Sequence, residues 1–189
     1  MFDIDEFVAD CRIALGENQP SLAMKELLER TMERDREVAA ALGEPEVADL
    51  TLLHASPELT ILNAVWAPHM TLYPHNHNMW AVIGIYGGQE DNTFWRRAQP
   101  GLVLSGGREL RHRDVAVLGH NIIHSVSNPG RTFTAAIHVY AGDYLNAQRS
   151  EWDPETHEER PFDFQGARRV FAEATEAWKR ELAAENATD

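Results

Sequence analysis

The sequence predicts a mainly β chain, a barrel or sandwich with helices at both ends. Three observations carry this. Between residues 50 and 144, short runs rich in β-branched and aromatic residues alternate with clusters of Gly, Pro, Asn and Asp, such as Gly87-Gly88, Gly106-Gly107 and Asn128-Pro129-Gly130. Before that stretch, apolar residues recur at helical spacing over residues 3–42. After it, a second helical pattern runs from about Gln165 to Glu185.

In chain order, Asp3 with Glu6 three residues later has the pattern of a capping box, and Ile4, Phe7, Val8, Cys11 and Leu15 line one helix face. Gly16 to Pro20 breaks that helix. Ser21 can cap a second one, with Leu27, Leu28, Met32, Val38 and Leu42 on its buried side, so residues 3–42 read as two helices. Gly43 followed by Pro45 is its stop signal. The strand runs are Leu50–Leu53, Thr60–Trp66, Trp80–Tyr86, Thr93–Arg97, Leu102–Leu104, Val115–Leu118, Ile122–Val126 and Thr132–Tyr140. A polar, Pro-bearing stretch from Trp152 to Pro161 leads into the last helix. There Val170, Phe171, Ala174, Ala177 and Trp178 form the expected stripe.

The 189 residues suffice for one domain with a real core, and the composition is that of an ordinary globular protein. A formal net charge of −13 repels phosphate, which excludes nucleic acid and anionic membrane surfaces as partners. The longest apolar run, Met79 to Tyr86, is too short to span a bilayer. The acidic start, Met1 to Glu6, is unlike a secretory signal, and the lone Cys11 suits a reducing compartment. A soluble, cytoplasmic protein is expected.

Seven of the nine histidines (69, 75, 77, 112, 120, 124 and 138) fall between His69 and His138, inside the β region. His75-Asn76-His77 would place two imidazoles on one face of a strand, half of a transition-metal site. A lone HxH is equally a pair of structural histidines. Further on, Gly119 to Asn121 form a turn that delivers His124 onto a strand ending at Asn128-Pro129-Gly130. His54, His69 and His120 read as structural, loop or pocket-lining residues. Trp66, Met79, Trp80 and Trp95 read as core or cavity wall.

On these residues the sequence resembles the cupin superfamily. His75, His77 and Gly88 match its first motif, and His124 with Asn128 matches its second. Ala81 stands where that motif carries a metal-binding Glu, His69 replaces its leading Gly, and Arg113, Gly119 and Asn121 depart from the second motif's turns. Cupins without the Glu include thiol dioxygenases similar to cysteine dioxygenase and 3-mercaptopropionate dioxygenase. Their Ser-x-His-x-Tyr motif is matched by Ala136-Ile137-His138-Val139-Tyr140, with Ala in place of Ser. Strand alternation would put residues 136, 138 and 140 on one face.

The resemblance spans roughly residues 50 to 145. It implies one cupin domain over 1–189, a double-stranded β-helix (jelly-roll) at 50–145, with N-terminal helices at 1–45 and a C-terminal helix at 165–186. It also implies Fe(II) held by His75, His77 and His124, with Zn or Ni as ions that a purified sample would carry. Tyr140 and His138 become the catalytic residues, and a small thiol and O2 the substrates, the product being a sulfinate. The chain would act as a monomer or homodimer. The family's carboxylate-binding Arg has no counterpart near Leu50 or Thr51. Arg96, Arg97 and Arg131 are substitutes by residue type alone, and read first as solvated surface charges. A cupin metalloenzyme acting on a non-thiol small molecule, or a non-catalytic metal- or ligand-binding cupin, remains open from the same residues.

Overall fold

The computed structural model describes residues 1–187. Three helices come first: α1 (Ile4–Leu15), α2 (Pro20–Met32) and α3 (Asp35–Leu42). Asp3 caps α1 by accepting the Glu6 N–H at 2.9 Å. The second helix predicted from the sequence is therefore two. Its interruption lies at Glu33 and Arg34, where the Arg34 N–H bonds to the Thr31 carbonyl three residues back and tightens the turn. The turn at Glu33 and Arg34 lets Met32 and Val38, on different helices, both stay fully buried.

Eleven strands follow: β1 (Asp49–Ala55), β2 (Thr60–Trp66), β3 (Thr71–Asn76), β4 (Ala81–Gly87), β5 (Gln89–Arg97), β6 (Leu102–Arg111), β7 (Val115–Leu118), β8 (Ile123–Ser127), β9 (Thr134–Tyr140), β10 (Ser150–Trp152) and β11 (Glu159–Pro161). They form a five-stranded sheet, β1-β2-β9-β4-β7, and a six-stranded sheet, β11-β10-β3-β8-β5-β6. Within them, β2-β9-β4-β7 faces β3-β8-β5-β6, the strand order of an eight-stranded jelly roll, here a double-stranded β-helix. The strand pairings are all antiparallel.

The first sheet is covered on both faces. Outward from the barrel, Ile61, Val82, Ile137 and Val139 meet Phe7, Cys11, Met24, Leu28 and Met32 of the helices. Inward, Leu62, Ile83, Ile85, Ala136 and Tyr140 line the barrel. Double coverage explains why β4 and β9 read as unbroken apolar runs rather than as alternation. Gly84 fits this packing: a Cβ there would lie 3.1 Å from Met32. Gly88, at φ +76° in the β4–β5 turn, is required more strictly. A Cβ would come within 2.8 Å of the Thr134 backbone, so only glycine suits both the dihedral and the space.

The second sheet continues further than the apolar runs imply. β5 begins at Gln89 and β6 reaches Arg111, because their pairing is satisfied by polar as well as apolar residues. The stretch read from sequence as a polar connection contains β10 and β11, a short hairpin added beside β3. The last helix, α4 (Phe164–Asn186), packs Ala167 and Phe171 against Trp66, Leu72 and Val126, and Trp178 is buried too. Ala177, expected in that stripe, is exposed, one position around the helix from Trp178. No helix among the described residues is long and apolar enough to cross a membrane.

Candidate metal centre

Two neighbouring strands of the second sheet bring the histidines together. His75 on β3 lies directly opposite His124 on β8, and a register shift between Leu72 and His75 marks a bulge just before it. His77 falls one residue past the end of β3, ahead of Asn78, whose φ is 54°. The expected side-by-side placement on one strand is thus met by a strand end and its turn. All three imidazoles are buried, and one ring nitrogen from each lies within 4.8 Å of the others.

The remaining nitrogens show which side faces the cluster. His75 Nδ1 is 3.0 Å from the Tyr73 carbonyl, so it donates there and leaves Nε2 free. His124 Nδ1 is 2.6 Å from Asn92 Oδ1, which frees its Nε2 in the same way. His124 Nε2 and His77 Nε2 lie 3.1 Å apart. Two ligands about 2.1 Å from a shared ion at near-right angles would be about 3 Å apart, so the donor set fits a first-row divalent metal. Burial pushes His75 down to about 3, and holds His77 and His124 well below the usual imidazole range with help from the neighbouring imidazoles. Neutral rings are the ligating form. Among the described residues this group has three members, without a carboxylate or thiolate.

The two residues expected to be catalytic, His138 and Tyr140, sit on β9, facing inward. The Tyr140 ring meets the His77 ring edge-on at 5.0 Å and stacks on Tyr144 at 4.1 Å. Its hydroxyl is 3.1 Å from His138 Nδ1. Burial raises the Tyr140 phenol well above its ordinary range, with the Tyr144 hydroxyl adding to the effect, so the phenol stays protonated.

Three residues escape a reading of the sequence. Glu90, fully buried on β5, places Oε2 3.0 Å from His138 Nε2 and accepts the Asn92 amide on Oε1 at 3.0 Å. Glu90, Asn92 and Phe94 share the inward face of β5. Period-two spacing could have found them had the strand been started at Gln89. The third is Arg149, buried in the loop before β10. Its guanidinium lies 3.9 Å from the Tyr144 ring centre and 3.6 Å from that of Phe162. Its Nη1 has no hydrogen-bond partner. Its charge helps lower His75 and His77, which places it beside the cluster. No periodic signal marks it.

The arginines considered from residue type lie elsewhere. Arg97 pairs with Glu159 and Arg131 with Glu185, all exposed, and Arg96 is exposed as well. Asn128 of the second motif organises a turn, donating to the Trp66 and Thr132 carbonyls, and does not touch the histidines. Ala81 pairs with Tyr140 across β4 and β9, a position from which the absent carboxylate would have faced the same cavity.

No protein-family model matches the chain. Similar solved structures include a double-stranded β-helix protein from Klebsiella pneumoniae, 13% identical with a TM-score of 0.45, over 57% of this chain and 85% of that one. A cupin-family protein from Methanocaldococcus jannaschii is 14% identical with a TM-score of 0.46, over 55% and 89%. A DMSP lyase from Ruegeria pomeroyi is 16% identical with a TM-score of 0.46, over 58% and 53%.

Proposed function

We propose that the chain is a mononuclear non-haem iron dioxygenase that oxidises a small, carboxylate-bearing thiol to its sulfinate. The carrying observation is a cluster of three neutral histidines without a carboxylate, beside a buried guanidinium whose Nη1 has no hydrogen-bond partner. Three neutral ligands leave the full charge of a divalent ion for an anionic ligand such as a thiolate. A buried, unpaired guanidinium nitrogen is costly, and a substrate carboxylate would satisfy it. The cluster closes at three ligands, whereas structural zinc sites usually close at four, which favours a catalytic centre over a purely structural one.

An ion held by His75, His77 and His124 would supply a Lewis-acidic, redox-active attachment point for the thiol sulfur and dioxygen. In the net reaction RSH and O2 give RSO2H, both oxygens passing to sulfur. Arg149 orients the substrate by its carboxylate, held flat between Tyr144 and Phe162. Tyr140 keeps its proton at Oη, and His138 steers that hydroxyl. Leu62, Ala81, Ile83 and Ala136 keep that side of the cavity apolar, which strengthens these polar contacts.

The test is oxygen uptake after anaerobic iron loading, with cysteine, 3-mercaptopropionate and cysteamine. Uptake with the two carboxylates and little with cysteamine is expected, and Arg149→Gln should raise KM for the carboxylate thiols. Absence of uptake with every thiol in fully loaded protein overturns the reading. Each of His75→Ala, His77→Ala and His124→Ala should lose the metal on dialysis, as read by elemental analysis.

A further inference from the structure

The inward face of β5 presents an unusual choice for a barrel interior: a fully buried glutamate two residues from a buried asparagine. We propose that Glu90 is a positioning residue that sets the hydrogen-bond direction of both histidine systems at once, His124 on one side and His138 on the other. This rests on the metal-centre reading only in taking His124 as a ligand.

The bonding pattern leaves little freedom. Glu90 Oε1 receives the Asn92 Nδ2–H, and Oε2 lies 3.0 Å from His138 Nε2. A carboxylate accepts on both oxygens and donates on neither. Asn92 is therefore turned so that its amide nitrogen faces Glu90 and its Oδ1 faces His124, at 2.6 Å. An oxygen there demands Nδ1–H on His124, which leaves Nε2 bare toward the cluster. On the other side the carboxylate demands Nε2–H on His138, which leaves Nδ1 to accept the Tyr140 hydroxyl at 3.1 Å. One side chain thus fixes two tautomers. Serine at position 136 could serve only the His138 side, whereas Glu90 reaches both sides from the opposite sheet.

Glutamine at position 90 cannot reproduce this, since one of its two atoms must donate. Either His138 then faces a donor and moves its proton to Nδ1, or Asn92 turns over and presents its own amide N–H to His124 Nδ1. The first reverses the bond to the Tyr140 hydroxyl, which must then accept from Nδ1–H instead of donating to it, and the second puts a proton on the nitrogen meant for the metal.

Long-range proton–nitrogen spectra of metal-free, nitrogen-15-labelled protein read the tautomers directly, without reference to activity. His124 and His138 signals are assigned by their loss in His124→Gln and His138→Gln. Wild type is expected to show Nδ1–H at His124 and Nε2–H at His138, and Glu90→Gln to change at least one of them. If His138 changes, kcat should fall about ten- to a hundredfold with KM and metal content kept; if His124 changes, metal affinity should fall by a similar factor. A wild-type His138 that is Nδ1–H or doubly protonated, a wild-type His124 that is Nε2–H, or two tautomers unchanged in Glu90→Gln would each overturn the proposal. Wild-type spectra decide it even if the variant does not fold. Expected tautomers in a protein that oxidises no thiol would overturn the proposed function and leave this assignment standing.

Discussion

Two histidine–carboxylate pairs of nearly the same length sit in different surroundings. His138 and Glu90 are 3.0 Å apart inside the barrel, with side chains 4% and 0% exposed. His112 and Asp35 are 2.8 Å apart where the β6–β7 turn meets the start of α3, and the His112 side chain is 49% exposed. At the inner pair neither carboxylate oxygen meets water, so its hydrogen bonds run on into Asn92, His124 and Tyr140. At the outer pair Arg113 supplies a full positive charge 2.7 Å from Asp35, and water reaches the His112 and Arg113 side chains, which are about half exposed, although Asp35 itself is buried. The same imidazole–carboxylate pairing gives a directional relay in one place and a latch between helix and turn in the other. Access to water makes the difference, because it sets what an unmade hydrogen bond costs.

Removing each carboxylate would break the comparison most clearly. Glu90→Leu strands two buried donors, and a loss of roughly 1–3 kcal/mol for each is expected, read from the urea midpoint. Less stability should be lost in Tyr140→Phe, which removes a hydroxyl at the end of the relay. Metal should be retained there while turnover drops about ten- to a hundredfold, comparing elemental content with steady-state rates.

Asp35→Asn should cost no more than about 1 kcal/mol at neutral pH, and less in high salt, because water and ions screen an outer pair. Its pH dependence has a definite sign. Arg113, by hydrogen bonding, holds the Asp35 carboxyl below the usual carboxylate range, with His112 contributing. A group bound more weakly to protons in the folded state stabilises above its unfolded value, about 3.9, and that gain disappears as pH falls through the folded value. The stability gap between wild type and Asp35→Asn should therefore close as pH falls below about 4. Denaturant titrations across that range would detect the opposite trend. The smallest effect belongs to Ala136→Ser. With Glu90 already on His138 Nε2, an added hydroxyl should leave turnover near its starting level, and a large gain would show that Glu90 does not fill that role.

Legibility of the fold and site followed the range of the interactions. Strand positions were readable wherever burial was two-sided and apolar, as in β2, β4 and β9. Ends were missed where polar residues carried the pairing, as at Gln89 in β5 and along β6. His75 and His77 were readable as a pair from their spacing, and His124 joined them through the resemblance to the cupin motifs. The break between α2 and α3 left no composition signal, since no Gly or Pro marks the tightened turn at Glu33 and Arg34.

The sequence by itself determined the mainly β class, the flanking helices and the residues that could gather around a metal. Those follow from local periodicity and from chemistry carried within a few residues. Only the tertiary structure decided that Glu90 and Asn92 face inward, that Glu90 meets His138 48 positions away, and that Arg149 lies buried beside the histidines without a partner for Nη1. A Glu in a polar stretch and an Arg in a loop are ordinary surface residues until the barrel closes. Closure excludes water, and an acceptor or a charge left in that dry space then has to be met by a specific partner.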